Sequence, residues 1–181
     1  MKNFIAISAP SGAGKTTICR ELQHRIPEVK FSLSYTTRPK RSIETDGVDY
    51  FFISDKKFKT MIAAAEFAEF EEVHGYYYGT PKKILENTIA ANQKMLFEVD
   101  VKGAMALKQL YPDNTTTVFI IPPDIDTLIK RLKNRGTDDD ARIRRRLERV
   151  AIEMKYQDCF DYSIINDDID RATQELIKII S

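Results

Sequence analysis

Residue types that can bind phosphate are concentrated in a loop of nine residues near the N-terminus. It reads Ala9-Pro10-Ser11-Gly12-Ala13-Gly14-Lys15-Thr16-Thr17. Glycines let successive backbone N–H groups turn toward one centre, and the start of a helix adds partial positive charge at the same place. Lys15 can then reach the outer phosphates of a nucleotide, and Thr16 can offer its hydroxyl to Mg²⁺. The loop is therefore predicted to bind ATP.

One position of this loop departs from the usual pattern G-x-x-x-x-G-K-[ST]. Ala9 stands where the first glycine is expected, so that position must accommodate a Cβ. The alternative interpretation is a glycine-rich turn between a strand and a helix that happens to carry a lysine. An apolar run before the loop and helical spacing after it coincide with Gly-Lys-Thr, and this coincidence favours ATP binding.

A second group of arginines, tyrosines, hydroxyls and carboxylates lies between residues 34 and 81. It begins with Ser34-Tyr35-Thr36-Thr37-Arg38-Pro39-Lys40-Arg41 and continues with Gly47-Val48-Asp49-Tyr50-Phe51-Phe52. Glu69 follows, and the group ends with Tyr76-Tyr77-Tyr78-Gly79-Thr80-Pro81. This set of motifs is a much more specific signal than the glycine-rich loop, which many unrelated nucleotide-binding proteins carry.

These motifs resemble those of the guanylate kinase family, which has S-x-T-T-R-x-x-R, G-x-x-Y-x-F, a glutamate and Y-Y-G-[ST] in this order. The resemblance extends to Arg135-Gly136-Thr137 and Asn166-Asp167-Asp168. It implies transfer of the γ-phosphoryl group of ATP to GMP, and also to dGMP, in purine nucleotide metabolism. It also implies Mg²⁺ as cofactor, with ATP and GMP as the small-molecule partners.

The resemblance assigns the phosphate of GMP to four residues. Arg38 and Arg41 would bind it together with the hydroxyls of Tyr50 and Tyr78, because planar guanidinium groups match the paired oxygens of a phosphate. Without the surrounding motif, two solvated arginines in a loop would be an equally good interpretation.

The resemblance assigns the base of GMP to Glu69, Ser34 and Thr80. Guanine presents two adjacent N–H donors and one acceptor, which a carboxylate and hydroxyls complement, whereas adenine presents the wrong pattern. A buried carboxylate left unpaired against adenine can discriminate by about 10⁴-fold or more. Several other glutamates lie near Glu69 in the chain, and only its 11-residue distance from Thr80, shared with the family, distinguishes it.

Two acidic residues end an apolar strand in the sequence Glu98-Val99-Asp100. The carboxyl end of a parallel strand lies beside the nucleotide crevice in folds of this kind. The family usually has Asp-x-Asp here, so Glu98 carries one more methylene. We expect Glu98 to contact GMP, and Asp100 to contribute with Thr16 to the metal site.

Seven arginines lie between residues 126 and 149, and a solvated helix explains most of them. By resemblance, Arg135 and Arg146 are the lid residues that close over the phosphates, and they join Lys15 and Arg38 as catalytic residues. Arg135 would contact ATP together with Asn166, and Arg146 would contact GMP.

Hydrophobic periodicity predicts the elements that must position these residues. Strands are expected at 3–8, 31–35, 50–53, 95–99, 116–121 and 162–165, and helices at 15–25, 101–111, 124–134, 138–160 and from 169. Ser54 is expected to cap a helix that buries Phe58, Met61, Ile62 and Ala65, and Thr80 to cap one that ends near 92. The helix at 124–134 is expected to turn Ile125, Leu128, Ile129 and Leu132 inward.

This alternation predicts an α/β fold with a parallel sheet flanked by helices, the three-layer arrangement of P-loop proteins. One domain of 181 residues is expected, with a core at 1–33 and 82–181. A small mixed GMP-binding lobe at about 34–81 and a helical lid at about 126–150 complete it.

Composition limits the remaining function classes. A net charge of +1 argues against a general partner among nucleic acids or anionic membranes. No signal peptide or membrane span is predicted, so a cytoplasmic location is expected. Cys19 and Cys159 are expected to be small core residues without chemistry.

Three rival functions stay open from the sequence. The first is a kinase for AMP or a pyrimidine nucleotide, which Glu69 with Thr80 opposes. The second is a guanylate-kinase-like interaction module without catalysis, which the intact loop and the lid arginines oppose. The third and weakest is nucleic-acid binding by residues 142–149, to be tested by salt-sensitive oligonucleotide binding.

Overall fold

The structure is a computed structural model that describes residues 2–73, 75–134, 147–148 and 150–181. Residues 147–148 and 150–154 are helical. In chain order the other elements are β1 (Phe4–Ser8), α1 (Lys15–Arg25), β2 (Lys30–Phe31), β3 (Tyr35–Thr36), β4 (Phe51–Phe52), α2 (Asp55–Ala63), β5 (Phe67–Val73), β6 (Tyr76–Pro81), α3 (Lys82–Ala90), β7 (Met95–Glu98), α4 (Val101–Leu110), β8 (Thr115–Ile121), α5 (Ile125–Asn134), a 3₁₀ turn (Gln157–Cys159), β9 (Tyr162–Ile165) and α6 (Ile169–Ile180).

Five strands form one sheet in the order β2-β7-β1-β8-β9, and every neighbouring pair is parallel. Parallel neighbours need long crossover connections, and the helices between these strands supply them. β1 occupies the centre, so the glycine-rich loop that follows it opens at the middle of the sheet's carboxyl edge. The predicted parallel sheet is confirmed.

Alternate residues of the central strand enter two different apolar clusters, as the two-residue period of a strand requires. Ile5 and Ile7 pack with Ile18 and Leu22 of α1 and with Leu176 of α6. Phe4 and Ala6 turn to the opposite side, where their cluster includes Leu85 of α3 and Leu107 of α4. Both faces of the sheet are therefore covered, which gives the expected three layers.

A second, mixed sheet of four strands, in the order β4-β3-β6-β5, is built from residues within 35–81. β3 pairs with β4 in parallel and with β6 antiparallel, and β5 and β6 form an antiparallel hairpin. Helix α2 packs on it through Phe58, whose ring stacks on those of Phe67 and Tyr77 at centroid distances of 4.4 and 5.3 Å. The predicted mixed sheet is confirmed, and the lobe boundaries stay a prediction.

The strand predicted at 31–35 is wrong as a single element. Phe31 ends β2, which pairs with β7 in the parallel sheet, whereas Tyr35 begins β3 in the mixed sheet. Ser32 continues to donate its backbone N–H to Leu96 before the chain leaves the first sheet. One apolar run therefore supplies two sheets, because the chain crosses between them within four residues.

Other details of the predicted elements need correction. Ala65 lies beyond the end of α2 in a left-handed conformation (φ 53°) and is exposed, as is common for the residue that follows a helix. Ile125 is 65% exposed at the first position of α5, although Leu128 is buried as predicted. The helix predicted to reach residue 160 ends at 154, before the 3₁₀ turn. Cys159 in that turn is exposed, while Cys19 is buried.

Within the described ranges, no helix combines the length and the apolar character needed to cross a membrane.

Candidate active site

The glycine-rich loop connects the central strand to α1 and has the backbone geometry that its glycines permit. Gly12 and Gly14 have φ values of 92° and 95°, in the left-handed region that side-chain-bearing residues rarely adopt. The Ala13 N–H donates to the Pro10 carbonyl at 3.0 Å, which closes a turn. Ala9 is half-buried and packs against the apolar cluster beneath the loop, so the Cβ that the usual pattern lacks is accommodated.

Two side chains from distant parts of the chain hold the loop from behind. Asn166, directly after β9, donates its Nδ2–H to the Ala13 carbonyl at 2.7 Å. Arg131 of α5 donates from Nη1 to the same carbonyl at 3.4 Å and from Nη2 to the Asn166 carbonyl at 3.0 Å. A Cβ on Gly14 would lie only 2.2 Å from Asn166 Nδ2. The loop thus lies against a buried amide that leaves no room for a side chain there.

Lys15 and Thr16 meet the carboxyl end of β7. The Lys15 ammonium donates to the Val99 carbonyl at 2.8 Å and lies 4.0 Å from Glu98 Oε1. The Thr16 hydroxyl donates to the same Glu98 oxygen at 2.5 Å. Glu98, expected to contact GMP, is therefore placed beside the phosphate loop.

Asp100, predicted to join Thr16 at the metal site, lies at the start of α4. Its carboxylate accepts the Gly103 N–H at 2.8 Å and so caps α4. A hydrogen bond with Asp100, followed by burial, raises the pKa of the Glu71 carboxyl. In this structure Glu98, rather than Asp100, lies against Thr16.

Glu69 and Thr80 form a close pair in the mixed sheet. The Thr80 hydroxyl donates to Glu69 Oε1 at 2.6 Å, and the two residues are direct cross-strand partners in the β5–β6 hairpin. This register gives a structural reason for the 11-residue separation that the sequence shows. The prediction that Thr80 caps α3 is therefore wrong. Pro81 is the residue that precedes this helix, and no side-chain cap is formed. Burial raises the pKa of Glu69, an effect that the Thr80 hydrogen bond opposes.

Arg38 is surrounded by the aromatic and polar side chains predicted to bind phosphate. Its Nε–H donates to the Tyr78 hydroxyl at 3.2 Å, and its guanidinium carbon lies 5.6 Å from the Tyr50 ring centre and 5.7 Å from that of Phe52. The rings of Tyr50 and Tyr78 are 5.9 Å apart. The Arg41 side chain is exposed near this cluster.

Two electrostatic contacts connect the phosphate-loop side with the mixed-sheet side. Burial raises the pKa of the Tyr50 hydroxyl, and the negative charges of Tyr78 and Glu98 raise this pKa further. Burial raises the pKa of Glu69 in the same way, and the negative charge of Asp100 raises it further. The acidic residues that end β7 and follow it are therefore close enough to the mixed sheet to affect the pKa of Tyr50 and of Glu69.

Of the remaining predicted site residues, Ser34 is half-buried, and its carbonyl accepts the Phe51 N–H at 3.0 Å as the chain enters β4. Ser11 and Thr17 lie in the loop and in the first turn of α1. Arg135 and Arg146, the predicted lid residues, lie outside the described residues.

Sequence reasoning missed two residues of this region. Arg131 was one of many arginines in its segment, and nothing local distinguishes it from those on a solvated helix face. Glu44 accepts two N–H groups of Arg38, at 2.7 and 3.1 Å, although it belongs to a polar loop without a regular pattern. Its position three residues after Arg41 was the one available signal, and it is a weak one.

The whole chain matches the family model described as guanylate kinase, over residues 1–181. It is 44% identical to the guanylate kinase of Carboxydothermus hydrogenoformans over 178 residues, which cover 98% of this chain and 87% of that protein. The guanylate kinase of Symbiobacterium thermophilum is also 44% identical, over 98% of this chain and 83% of that protein. Among solved structures, the guanylate kinase from Anaplasma phagocytophilum is similar with a TM-score of 0.79 and 27% identity, covering 99% of this chain and 84% of that one.

Proposed function

Because this chain belongs to the guanylate kinase family and transfers the terminal phosphoryl group of ATP to GMP, we propose how its residues divide that work. The loop from Ala9 to Thr17 binds ATP, and the mixed sheet with its flanking loop binds GMP. The close pair of Glu69 and Thr80 is the observation that carries the choice of base. A half-buried carboxylate with a raised pKa is costly to leave unpaired, and the N–H donors of guanine satisfy it.

On the donor side, the backbone N–H groups of the loop and the N-terminus of α1 cradle the phosphates. Lys15 neutralises the outer phosphates, and Asn166 holds the loop through Ala13. Arg135 is proposed to contact ATP from the lid. Asn166 therefore supports the ATP site through the loop. We propose that it also contacts the nucleotide directly.

The donor set around Thr16 is compatible with Mg²⁺. Hydroxyl and carboxylate oxygens are the hard ligands that Mg²⁺ prefers, and it usually takes one or two of them together with substrate phosphates and water. Thr16 and Glu98 supply such a pair, and Asp100 follows on the same strand end. Among the described residues, no group of three or more His, Cys, Asp or Glu side chains could hold a metal without the substrate. When bound, the ion neutralises charge on the phosphates of ATP.

On the acceptor side, Arg38 with Tyr50 and Tyr78 is proposed to bind the phosphate of GMP, and Arg41 reaches it from the exposed loop. Ser34 joins Glu69 and Thr80 at the base. Glu98 faces the GMP side from the end of β7, and Arg146 reaches GMP from the lid.

These residues act by alignment and neutralisation of charge. Two bound nucleotides bring about six negative charges close together, and the acceptor oxygen of GMP is already anionic near neutral pH, so no dedicated base is required. Lys15 and Arg38 act with the lid residues Arg135 and Arg146 as fixed cations around the transferred group. Lid closure is proposed to exclude water and so to suppress hydrolysis of ATP.

We also propose that the enzyme accepts dGMP, because none of the contacts above involves the 2′-hydroxyl. We propose that its partners are ATP and GMP and that it binds neither nucleic acids nor membranes. A cytoplasmic location is proposed because both substrates are found there.

The test measures ADP release with ATP and GMP, dGMP, AMP, CMP or UMP in turn. GMP is expected to be the best acceptor, and equal rates with AMP would contradict the assignment. Glu69→Gln should raise the KM for GMP by about 10²-fold or more with little change in the KM for ATP. Glu72→Gln is the matched control, since Glu72 lies on the same strand and is exposed. Equal effects on both KM values would rule out base recognition by Glu69.

A further inference from the structure

We propose that Glu44 is a positioning residue that assembles the acceptor-phosphate site before GMP binds, by fixing the Arg38 side chain and the Arg41 main chain together. This inference rests on the proposed function, in which Arg38 and Arg41 bind the phosphate of GMP.

Both oxygens of the Glu44 carboxylate are used. Oε1 accepts Nη2–H of Arg38 at 2.7 Å, and Oε2 accepts Nη1–H at 3.1 Å. Oε2 also accepts the backbone N–H of Arg41 at 2.8 Å. The side chains of Arg38 and Glu44 are only 12% and 11% exposed, so this ion pair is shielded from solvent, unlike a surface pair. One carboxylate thus connects the two arginines that the phosphate requires.

The remaining contacts of Arg38 leave one N–H of its guanidinium for a ligand. A guanidinium has five N–H donors, and Glu44 takes the edge formed by Nη1 and Nη2. The second Nη1–H donates to the Pro39 carbonyl at 2.9 Å, and Nε–H donates to the Tyr78 hydroxyl. Among the described residues, the second Nη2–H, on the Nε side, has no acceptor. It lies beside Tyr78, whose hydroxyl accepts from Arg38 and keeps its own proton to donate to a phosphate.

The backbone of Glu44 is held in place by its own hydrogen bonds. This distinguishes a residue that positions Arg38 from a carboxylate that merely fills the phosphate site. Its N–H donates to the Arg41 carbonyl at 3.1 Å, and its own carbonyl accepts from Lys40 Nζ at 2.9 Å. A carboxylate that only filled the phosphate site would have to leave when GMP arrives. Here, departure would also break the bond to the Arg41 N–H and disturb this turn.

The charge state of the pair supports a permanent contact. Hydrogen bonds from Arg38 and from the Arg41 N–H hold the pKa of Glu44 below its usual range, so it is ionised under ordinary assay conditions. The hydrogen bond to Glu44 also raises the pKa of the Arg38 guanidinium, which is a cation in any case. Fixing a long arginine side chain in advance removes an ordering cost from binding, which is a general source of affinity.

The experiment compares Glu44→Gln with the wild-type enzyme by calorimetric titration of GMP and of guanosine, which lacks the phosphate. We expect the Kd for GMP to rise by about 10- to 100-fold, while the Kd for guanosine changes less than twofold. The KM for ATP should stay unchanged. Glu21→Gln is the matched control, because Glu21 also accepts from an arginine, Arg25, at 2.8 Å on α1, outside the acceptor site.

Three outcomes would overturn the inference: unchanged affinity for GMP, tighter binding of GMP, or a parallel loss of guanosine binding. Tighter binding would make Glu44 a competitor of the phosphate. Glu44→Asp, which keeps the charge at shorter reach, is the second variant and should bind GMP with an affinity between those of the wild type and Glu44→Gln. Wild-type enzyme that fails to phosphorylate GMP would instead refute the proposed function, so the two failures are distinguishable.

Discussion

Replacement of Gly14 by alanine tests the geometry of the phosphate loop most directly. Gly14 has a φ of 95°, and an added Cβ would lie 2.2 Å from Asn166 Nδ2. That amide is buried and donates to the Ala13 carbonyl at 2.7 Å. The substitution should therefore both strain the backbone and break the bond that holds the loop.

The expected loss of stability follows from these two effects. A left-handed conformation costs a residue with a Cβ about 1–2 kcal/mol. A buried amide left without its partner costs about 1–3 kcal/mol more. The free energy of unfolding should thus fall by about 2–5 kcal/mol. For a chain of this length, each kcal/mol lowers the Tm by about 2–4 °C, so a decrease of about 4–20 °C is expected.

Gly75→Ala is the matched control, because Gly75 has a φ of 80° but, among the described residues other than its chain neighbours, no atom within 4 Å of the position of an added Cβ. It carries only the backbone cost of about 1–2 kcal/mol. Thermal unfolding followed by circular dichroism compares the two variants. In Gly14→Ala/Asn166→Ala the clash is absent, so the combined loss should be smaller than the sum of the single losses. If Gly14→Ala costs no more than Gly75→Ala, the contact with Asn166 does not constrain the loop.

Two further predictions concern the chemistry of the site. Lys15→Ala should lower turnover by orders of magnitude with a Tm close to that of the wild type. Among the described residues, the Lys15 ammonium donates one hydrogen bond, to Val99, and lies 4.0 Å from Glu98, in a partly buried position. Near-normal turnover would refute its role as a phosphate cation. A second prediction concerns pH. Guanine donates to the ionised form of Glu69, and burial raises the pKa of this carboxyl. The affinity for guanosine should therefore be highest above that pKa and should decrease as the pH falls through it. An NMR titration of guanosine between about pH 4.5 and 7.5 should show this decrease in the wild type and a flat profile in Glu69→Gln, and identical profiles would exclude Glu69 as the titrating group.

Local patterns in the sequence predicted the features that depend on neighbouring residues. The apolar run at residues 3–8 and the helical spacing after the loop predicted β1 and α1, because hydrophobic patterning depends on neighbouring residues in the chain. Glycines followed by lysine and threonine predicted a phosphate loop for the same reason. The distance between Glu69 and Thr80 was informative because a hairpin converts a fixed separation along the chain into a cross-strand contact.

Contacts between remote residues could be found only in the tertiary structure. Ala13 is separated from Arg131 by 118 residues and from Asn166 by 153, and no periodicity records which helix or strand end will lie behind the loop. Glu44 is close to Arg38 in the chain, but an irregular polar loop has no period from which the direction of a side chain could be predicted. The sequence predicted which residue types would bind each nucleotide, since that prediction depends on chemistry and short-range order. Only the packing of distant elements decided which side chains hold those residues in place, because it depends on the path of the whole chain.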